Sequence, residues 1–296
     1  MDVPFLYQLQ EANYSKLEAV KFCVAVIDPD DSGLTPSQIT ALRNSHGKVL
    51  YAYTSIGEAE DYRSYWDETW DVSPPKFVLD ENPQWDGNFP VAFWNAEWQN
   101  IVFDRVDKAI ATGYAGIYLD IVDGYETPVV KDAYFGTDAD LREEMVDFVR
   151  AISARAKAAD PDFAIIPQNA VGLLSLGESR PESGPNRAYL NAIDGIGVED
   201  LWYDGDTQSE WTQDDLKLIA IAQQANKFVL ATSYPMQTRN QVDFIANAVS
   251  SGFIPFVTDL TLSGMIVPAN AKIWELMGGR KITAPWNDSS DKPMGR

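Results

Sequence analysis

The chain has 296 residues, 45% of them hydrophobic and 23% charged, the proportions of an ordinary globular protein, which exclude fibrous and disordered classes. Its 23 Lys and Arg stand against 44 Asp and Glu, a formal net charge of −21. A surface of that sign repels phosphate backbones and argues against a nucleic-acid partner, while it suits a neutral or cationic substrate.

The scarcity of two residue types narrows the chemistry further. One cysteine, Cys23, permits neither an intrachain disulfide nor an all-cysteine metal site. One histidine, His46, sits in a polar turn at 43–47, which argues against a histidine-rich metal centre or a Ser-His-Asp triad. Catalysis is therefore expected to rest on carboxylates or hydroxyls, with no metal and no organic cofactor. No window approaches about 18 apolar residues, so no membrane span is expected. Met1-Asp2-Val3 opens no basic-then-apolar leader, and composition leaves the compartment open.

In chain order, short β-branched or aromatic runs alternate with longer amphipathic stretches, the pattern of βα units around a parallel sheet. Strands are predicted at 22–27, 49–54, 91–94, 116–120, 164–168, 196–199, 228–232 and 253–257, with 77–79 competing for the third place. Helices are predicted at 36–44, 97–112, 138–159, 187–192, 212–225 and 238–250, with Thr35-Pro36 and Thr212 to Asp215 as starts and Gly113 and Gly252 as stops. Eight strands with helices between them predict a single (β/α)8 barrel domain over residues 1–296. A doubly wound sheet is the alternative, but no dinucleotide glycine fingerprint follows an early strand. Two stretches, 57–88 and 172–185, are too long for plain connectors and are expected to be functional loops.

A barrel gathers its chemistry at the carboxyl ends of its strands. Taking that position strand by strand selects Asp28, Tyr53, Ser55, Trp94, Asp120, Asp123, Gln168, Asn169, Glu199, Asp200, Ser233, Tyr234, Thr258 and Asp259, and Tyr203 just beyond. Carboxylates, amides, hydroxyls and flat rings together form the inventory of sugar hydrolysis. Asp120 and Glu199 each follow a buried run directly, where an unpaired acid needs a reason, and are the strongest candidates for a functional role. Duller roles exist for the rest: Asp28 before Pro29 suits a turn, Glu58 and Arg63 suit a loop-bracing ion pair, and strand alternation would turn Asp200 outward. Trp94 and Tyr203 are the stacking candidates.

The segments at 51–63, Tyr-Ala-Tyr-Thr-Ser-Ile-Gly-Glu-Ala-Glu-Asp-Tyr-Arg, and at 113–123, ending Leu119-Asp120-Ile121-Val122-Asp123, resemble glycoside hydrolase family 114, the endo-α-1,4-polygalactosaminidase-like barrels. Shorter matches at 85–88, 91–94, 167–169, 196–200 and 252–256 extend the resemblance over most of the chain. It implies hydrolysis of α-linked galactosamine polymers by an Asp after strand 4 and a Glu after strand 6, positions held by Asp120 and Glu199. It also implies an amino-sugar oligo- or polysaccharide as partner and a secreted or periplasmic location. The alternatives carried forward are a glycosidase for another α-galactoside, a non-catalytic carbohydrate-binding barrel, and a metal-dependent aldolase or isomerase with an all-carboxylate site.

Overall fold

The computed structural model describes residues 2–177 and 180–278. Eight parallel strands alternate with eight helices around one core. The strands are β1 (Phe5–Gln8), β2 (Val24–Ile27), β3 (Val49–Ser55), β4 (Gly116–Asp120), β5 (Ala164–Pro167), β6 (Gly195–Glu199), β7 (Phe228–Ser233) and β8 (Ile254–Val257). The helices that follow them in turn are α1 (Tyr14–Ala19), α2 (Pro36–His46), α3 (Ala96–Thr112), α4 (Asp138–Ala159), α5 (Arg187–Ala192), α6 (Thr212–Gln224), α7 (Thr238–Ser250) and α8 (Ile273–Leu276).

β1 to β5 form one continuous parallel ladder and β6 to β8 a second. The β5/β6 seam is bridged at Gln168 and Gly197, where the Asn169 N–H donates to the Gly197 carbonyl at 2.8 Å. At the β8/β1 seam the rings of Phe5 and Phe256 meet edge to face at 6.0 Å. The result is a (β/α)8 barrel. β1, β2, β5 and β8 are buried at every position, as strands must be when helices cover one face and barrel filling the other.

Local chemistry sets the helix limits. Thr35 and Gln38 form a reciprocal capping box at the start of α2, Pro36 occupies its first turn, and Gly47 ends it in the left-handed conformation. Thr137 and Asp140 do the same for α4. Thr212 differs from expectation: its hydroxyl donates to the Leu201 carbonyl at 2.6 Å, tying the loop after β6 to α6 instead of capping the helix.

Two strand assignments need correction. β1 was not expected, and the predicted strand at 91–94 is absent: Val91 makes only an isolated antiparallel bridge to Val78. The residues before it, Asn88–Pro90, pair antiparallel with Glu58–Glu60, so the long segment at 57–88 is folded back over the barrel mouth. Trp66, Trp70, Phe77, Phe89 and Trp98 hold it there through ring contacts of 5.1–5.7 Å. One strand missed before and one removed after leave Asp120 on the fourth strand and Glu199 on the sixth.

Candidate active site

The carboxyl ends of the strands open into a cavity of about 530 Å³. Asp120, the last residue of β4, and Glu199, the last of β6, both line it. Asp120 Oδ2 accepts from the Tyr53 hydroxyl at 2.6 Å, and its Oδ1 accepts from the Ile121 N–H at 2.8 Å. Glu199 Oε1 accepts from the Tyr234 hydroxyl and its Oε2 from the Gln168 amide nitrogen. The Glu199 N–H donates to Asn169 Oδ1 at 3.0 Å, which pins the backbone at the same point. Every oxygen of the pair thus has a donor, yet among the described residues no Lys or Arg lies within 4.0 Å of either carboxylate.

Desolvation in the half-buried cavity wall, with no cation close by among the described residues, raises these acids. Asp120 is pushed up to about 6, chiefly by desolvation, with the Tyr53 and Ile121 hydrogen bonds working against it and the charges of Glu60 and Glu58 for it. Glu199 is pushed up to about 8 by desolvation and then by the charge of Asp120. Asp123 goes to about 7 by desolvation and then Asp120, and Asp200 to about 6 by desolvation, opposed by the Ser233 hydroxyl.

The backbone at these strand ends is held in an unusual state. Ile121, Asn169, Ala170 and Asp200 follow β4, β5 and β6 with φ of 52°, 57°, 49° and 51°. Left-handed conformations cost non-glycine residues about 1–3 kcal/mol each and persist only where surroundings impose them. For Asp200 the turn has a direct consequence: it defeats strand alternation and brings the carboxylate to the cavity, where Oδ1 accepts from Ser233 at 3.1 Å. Gly57 is the complement of Ile121, since a Cβ there would stand 2.1 Å from the Ile121 carbonyl oxygen.

On the β2 and β3 side lies a different arrangement. The Arg63 guanidinium donates to Asp28 through Nη1 and to Glu60 through Nε at 2.6 Å and Nη2 at 2.8 Å. It also stacks near Tyr53 and Tyr62, at 5.5 and 5.0 Å from their centroids. Arg63 therefore pairs with Glu60 and Asp28, not with Glu58 as the sequence suggested; Glu58 instead accepts from Asn82 at 2.8 Å and Asn88 at 3.0 Å. Asp28 keeps its turn role as well, since its Oδ1 accepts from the Asp30 N–H at 2.9 Å.

Of the sequence-selected residues, Asp28, Tyr53, Asp120, Asp123, Gln168, Asn169, Glu199, Asp200 and Tyr234 come together around the cavity. Ser55, Trp94, Tyr203 and Ser233 are not among its lining residues, a correction to the expected cleft, and neither are Thr258 and Asp259. Ser55 Oγ accepts from the Glu58 N–H at 3.1 Å and so closes the turn after β3. Trp94 packs on Phe93 and Tyr134 at 5.2 and 4.9 Å. The Tyr203 hydroxyl turns to Asp243 on α7 at 2.6 Å, and Ser233 supports Asp200 from below. Tyr7, Glu58, Glu60, Tyr62, Arg63, Trp85 and Asn88 line the cavity without having been chosen. Tyr7 was hidden with its strand, while the others lie on the folded-back segment, which its length and the resemblance at 51–63 and 85–88 had marked without assigning these side chains to the cleft. A second cavity of about 270 Å³ shares Asp123, Asn169 and Glu199 with the first.

The model of the glycoside-hydrolase family GH114 matches residues 2–273. This chain belongs to that family and is a glycosidase. An uncharacterized protein of Methanocaldococcus jannaschii is 37% identical in an alignment of 267 residues that covers 85% of this chain and 74% of that protein. One of Thermotoga maritima is 31% identical, over 89% of this chain and 83% of its own. Among solved structures, Aspergillus fumigatus Ega3 in complex with galactosamine superposes with a TM-score of 0.64 at 19% identity, covering 89% of this chain and 92% of that one. The glycoside hydrolase domain of PelA from Pseudomonas aeruginosa gives 0.63 at 18% identity, over 90% and 97%. At these identities the two structures attest the barrel.

Proposed function

We propose that this single-domain glycosidase cleaves α-linked galactosamine-type polysaccharide within the chain, with Asp120 as nucleophile and Glu199 as general acid and base. The observation that carries the reading is the pair itself: two half-buried, desolvated carboxylates on β4 and β6 facing one cavity, with no Lys or Arg within 4.0 Å among the described residues and Glu199 raised above Asp120. Near neutral pH that order leaves Asp120 ionised and Glu199 protonated, the states a retaining mechanism needs at its start.

In the first step an Asp120 oxygen attacks the anomeric carbon while the Glu199 proton passes to the leaving oxygen, so that the glycosidic bond breaks as the glycosyl ester forms. Glu199, now ionised, takes a proton from water, whose oxygen displaces Asp120 and restores the enzyme. Tyr53 and the Ile121 N–H hold the nucleophile; Gln168 and Tyr234 hold the acid.

The amine of the sugar is assigned to Asp123 and Asp200. Within about 8 Å, the screening length at physiological salt, only acids that line the cavity select substrate, and among the described residues no cation pairs with these two, whereas Asp28 is occupied by Arg63. That Ega3 was captured with galactosamine supports the same substrate class. Sugar faces stack on Trp85 and Tyr62 at the rim. No helix among the described residues is long and apolar enough to cross a membrane. A secreted or periplasmic site of action is part of this proposal, where such polymers occur.

The test is release of reducing ends from galactosamine, N-acetylgalactosamine, neutral α-galactoside and uronate oligomers. Preference for the galactosamine oligomer, lost in Asp123→Asn, is the expected result. Preference for uronate overturns the charge argument, and cleavage of neutral α-galactosides alone removes the amino sugar while leaving the pair.

A further inference from the structure

Gln168 is 1% exposed and stands between two hydroxyl-bearing or acidic neighbours: its amide nitrogen donates to Glu199 Oε2 and its carbonyl oxygen accepts from the Tyr7 hydroxyl at 3.0 Å. A primary amide can present either end to a neighbour, and only its partners choose. Glu199 alone cannot make that choice in both of its states, because an ionised carboxylate needs the amide N–H while a protonated one can donate to the amide carbonyl. Tyr7 breaks the tie: a phenol oxygen can also accept, but among the described residues the Gln168 carbonyl is the acceptor for its buried O–H, and turning the amide would leave that proton unpaired. While its O–H points at the Gln168 carbonyl, the N–H end faces Glu199.

We propose that Tyr7 is a positioning residue that locks the Gln168 amide and thereby sets how tightly Glu199 holds its proton. The inference rests on the acid and base role given to Glu199 above, but its geometry does not. Tyr7 is 1% exposed on β1, across the barrel from β6, and its ring lies 5.7 Å from that of Tyr118 on β4. Gly197 makes room for that layer, since a Cβ there would stand 1.8 Å from the Tyr118 hydroxyl oxygen. Facing Glu199 are Asp120 and Tyr118 from β4, Tyr234 beyond β7, Asp200 from its own strand end, and Tyr7. None of these is a cation, so donors alone stabilise the ionised form. Tyr234 supplies one directly; Tyr7 guarantees the other at one remove.

Removing the phenol oxygen in Tyr7→Phe keeps the ring and frees the amide to turn. With its carbonyl toward Glu199 the carboxylate loses a donor and meets an acceptor, so the proton is held more tightly. One ordinary hydrogen bond corresponds to a rise of about 0.5–1 pH unit in the Glu199 midpoint. The measurement is the titration of Glu199 by carbon-13 NMR of glutamate labelled at its side-chain carboxyl, the resonance being assigned by its loss in Glu199→Gln. The expected result is a higher midpoint in Tyr7→Phe and in Gln168→Met, with no further rise when the two are combined. A residue that only packed would lower Tm and leave the titration in place. An unchanged or lower midpoint in Tyr7→Phe overturns the proposal, and so does an unchanged midpoint in Gln168→Met, however the Tyr7 variant folds. Because no substrate enters the measurement, its failure stands apart from failure of the catalytic assignment, which shows as retained activity in Glu199→Gln.

Discussion

On the β2 and β3 side of the barrel mouth, Asp28 and Glu60 meet the guanidinium of Arg63, and all three side chains are about 5% exposed. On the β4 to β6 side, Asp120, Asp123, Glu199 and Asp200 line the same cavity with no Lys or Arg within 4.0 Å among the described residues. The two regions also differ in backbone: the second carries four left-handed non-glycine residues directly after its strands, and β2 ends in an ordinary capped turn. A buried acid held by a cation is fixed in charge and useful for placing neighbours. One held only by hydroxyls and amides can change its protonation near neutral pH, which acid and base chemistry requires. The first group therefore builds the mouth, and the second has the protonation range that the proposed mechanism uses.

The largest effects should come from breaking the second region. Asp120→Asn and Glu199→Gln each remove a proton-carrying or attacking group while keeping the shape, and each is expected to lower kcat about 10²–10⁴-fold on the cleaved oligomer. Tm should hold or rise near neutral pH, because Asp120→Asn removes a desolvated charge and Glu199→Gln replaces a carboxyl that is already protonated. Near-normal rates in both variants would show that these acids are structural after all.

Breaking the first region should do the reverse. Arg63→Met leaves Asp28 and Glu60 buried without a partner, a loss of about 3–5 kcal/mol in stability. Urea unfolding measures it directly. A loss under about 1 kcal/mol would mean that water reaches Asp28 and Glu60 and that the contrast between the regions is one of degree.

A smaller effect follows from pH. Asp123, Glu199, Asp120 and Asp200 are all raised in the folded chain above the range of about 4 that unfolded carboxyls show, so between about pH 4 and 8 the native state holds protons that the unfolded state has released. Stability is then fully present below the unfolded values and is lost as pH rises through the folded ones. Thermal or urea unfolding across that window should show a decline on the order of 3 kcal/mol, reduced in Glu199→Gln. Stability that instead climbs with pH would place solvent or a cation beside these acids.

How much of this contrast could be read before folding depends on what kind of signal each residue leaves. Asp120 and Glu199 were legible because each ends a continuous apolar run, and a charge at such a point stands out. The strand at Phe5–Gln8 was not, since three apolar residues between Pro4 and Gln8 carry no periodicity of their own and gain strand character only from pairing with Val24–Ile27. The 91–94 run misled for the opposite reason: Val91 and Phe93 are fully buried, but under the folded-back segment and not in the barrel sheet. Asp200 was assigned outward by alternation, a rule that fails where φ turns positive. The Asp28, Glu60 and Arg63 trio joins residues from two loops and left only an acidic, aromatic segment as its trace.

The smallest effect concerns the rings, and it tests whether the mouth region also touches substrate. Trp85 is 54% exposed and lines the cavity beside Tyr62 and Asn88, whereas Trp94 sits against Phe93 and Tyr134 outside it. A flat ring at the rim can stack on a sugar face and attract its amine, an interaction of about 0.5–2 kcal/mol. Trp85→Ala should therefore weaken oligosaccharide affinity about three- to tenfold and leave stability within about 0.5 kcal/mol. Trp94→Ala should do the opposite, with affinity unchanged and stability reduced by about 1–2 kcal/mol through lost ring packing. Titration calorimetry on the Glu199→Gln background separates binding from turnover. If Trp94→Ala weakens binding while Trp85→Ala does not, the substrate path runs toward α3 instead of along the folded-back segment, and the region built around Arg63 would have no part in holding the polymer.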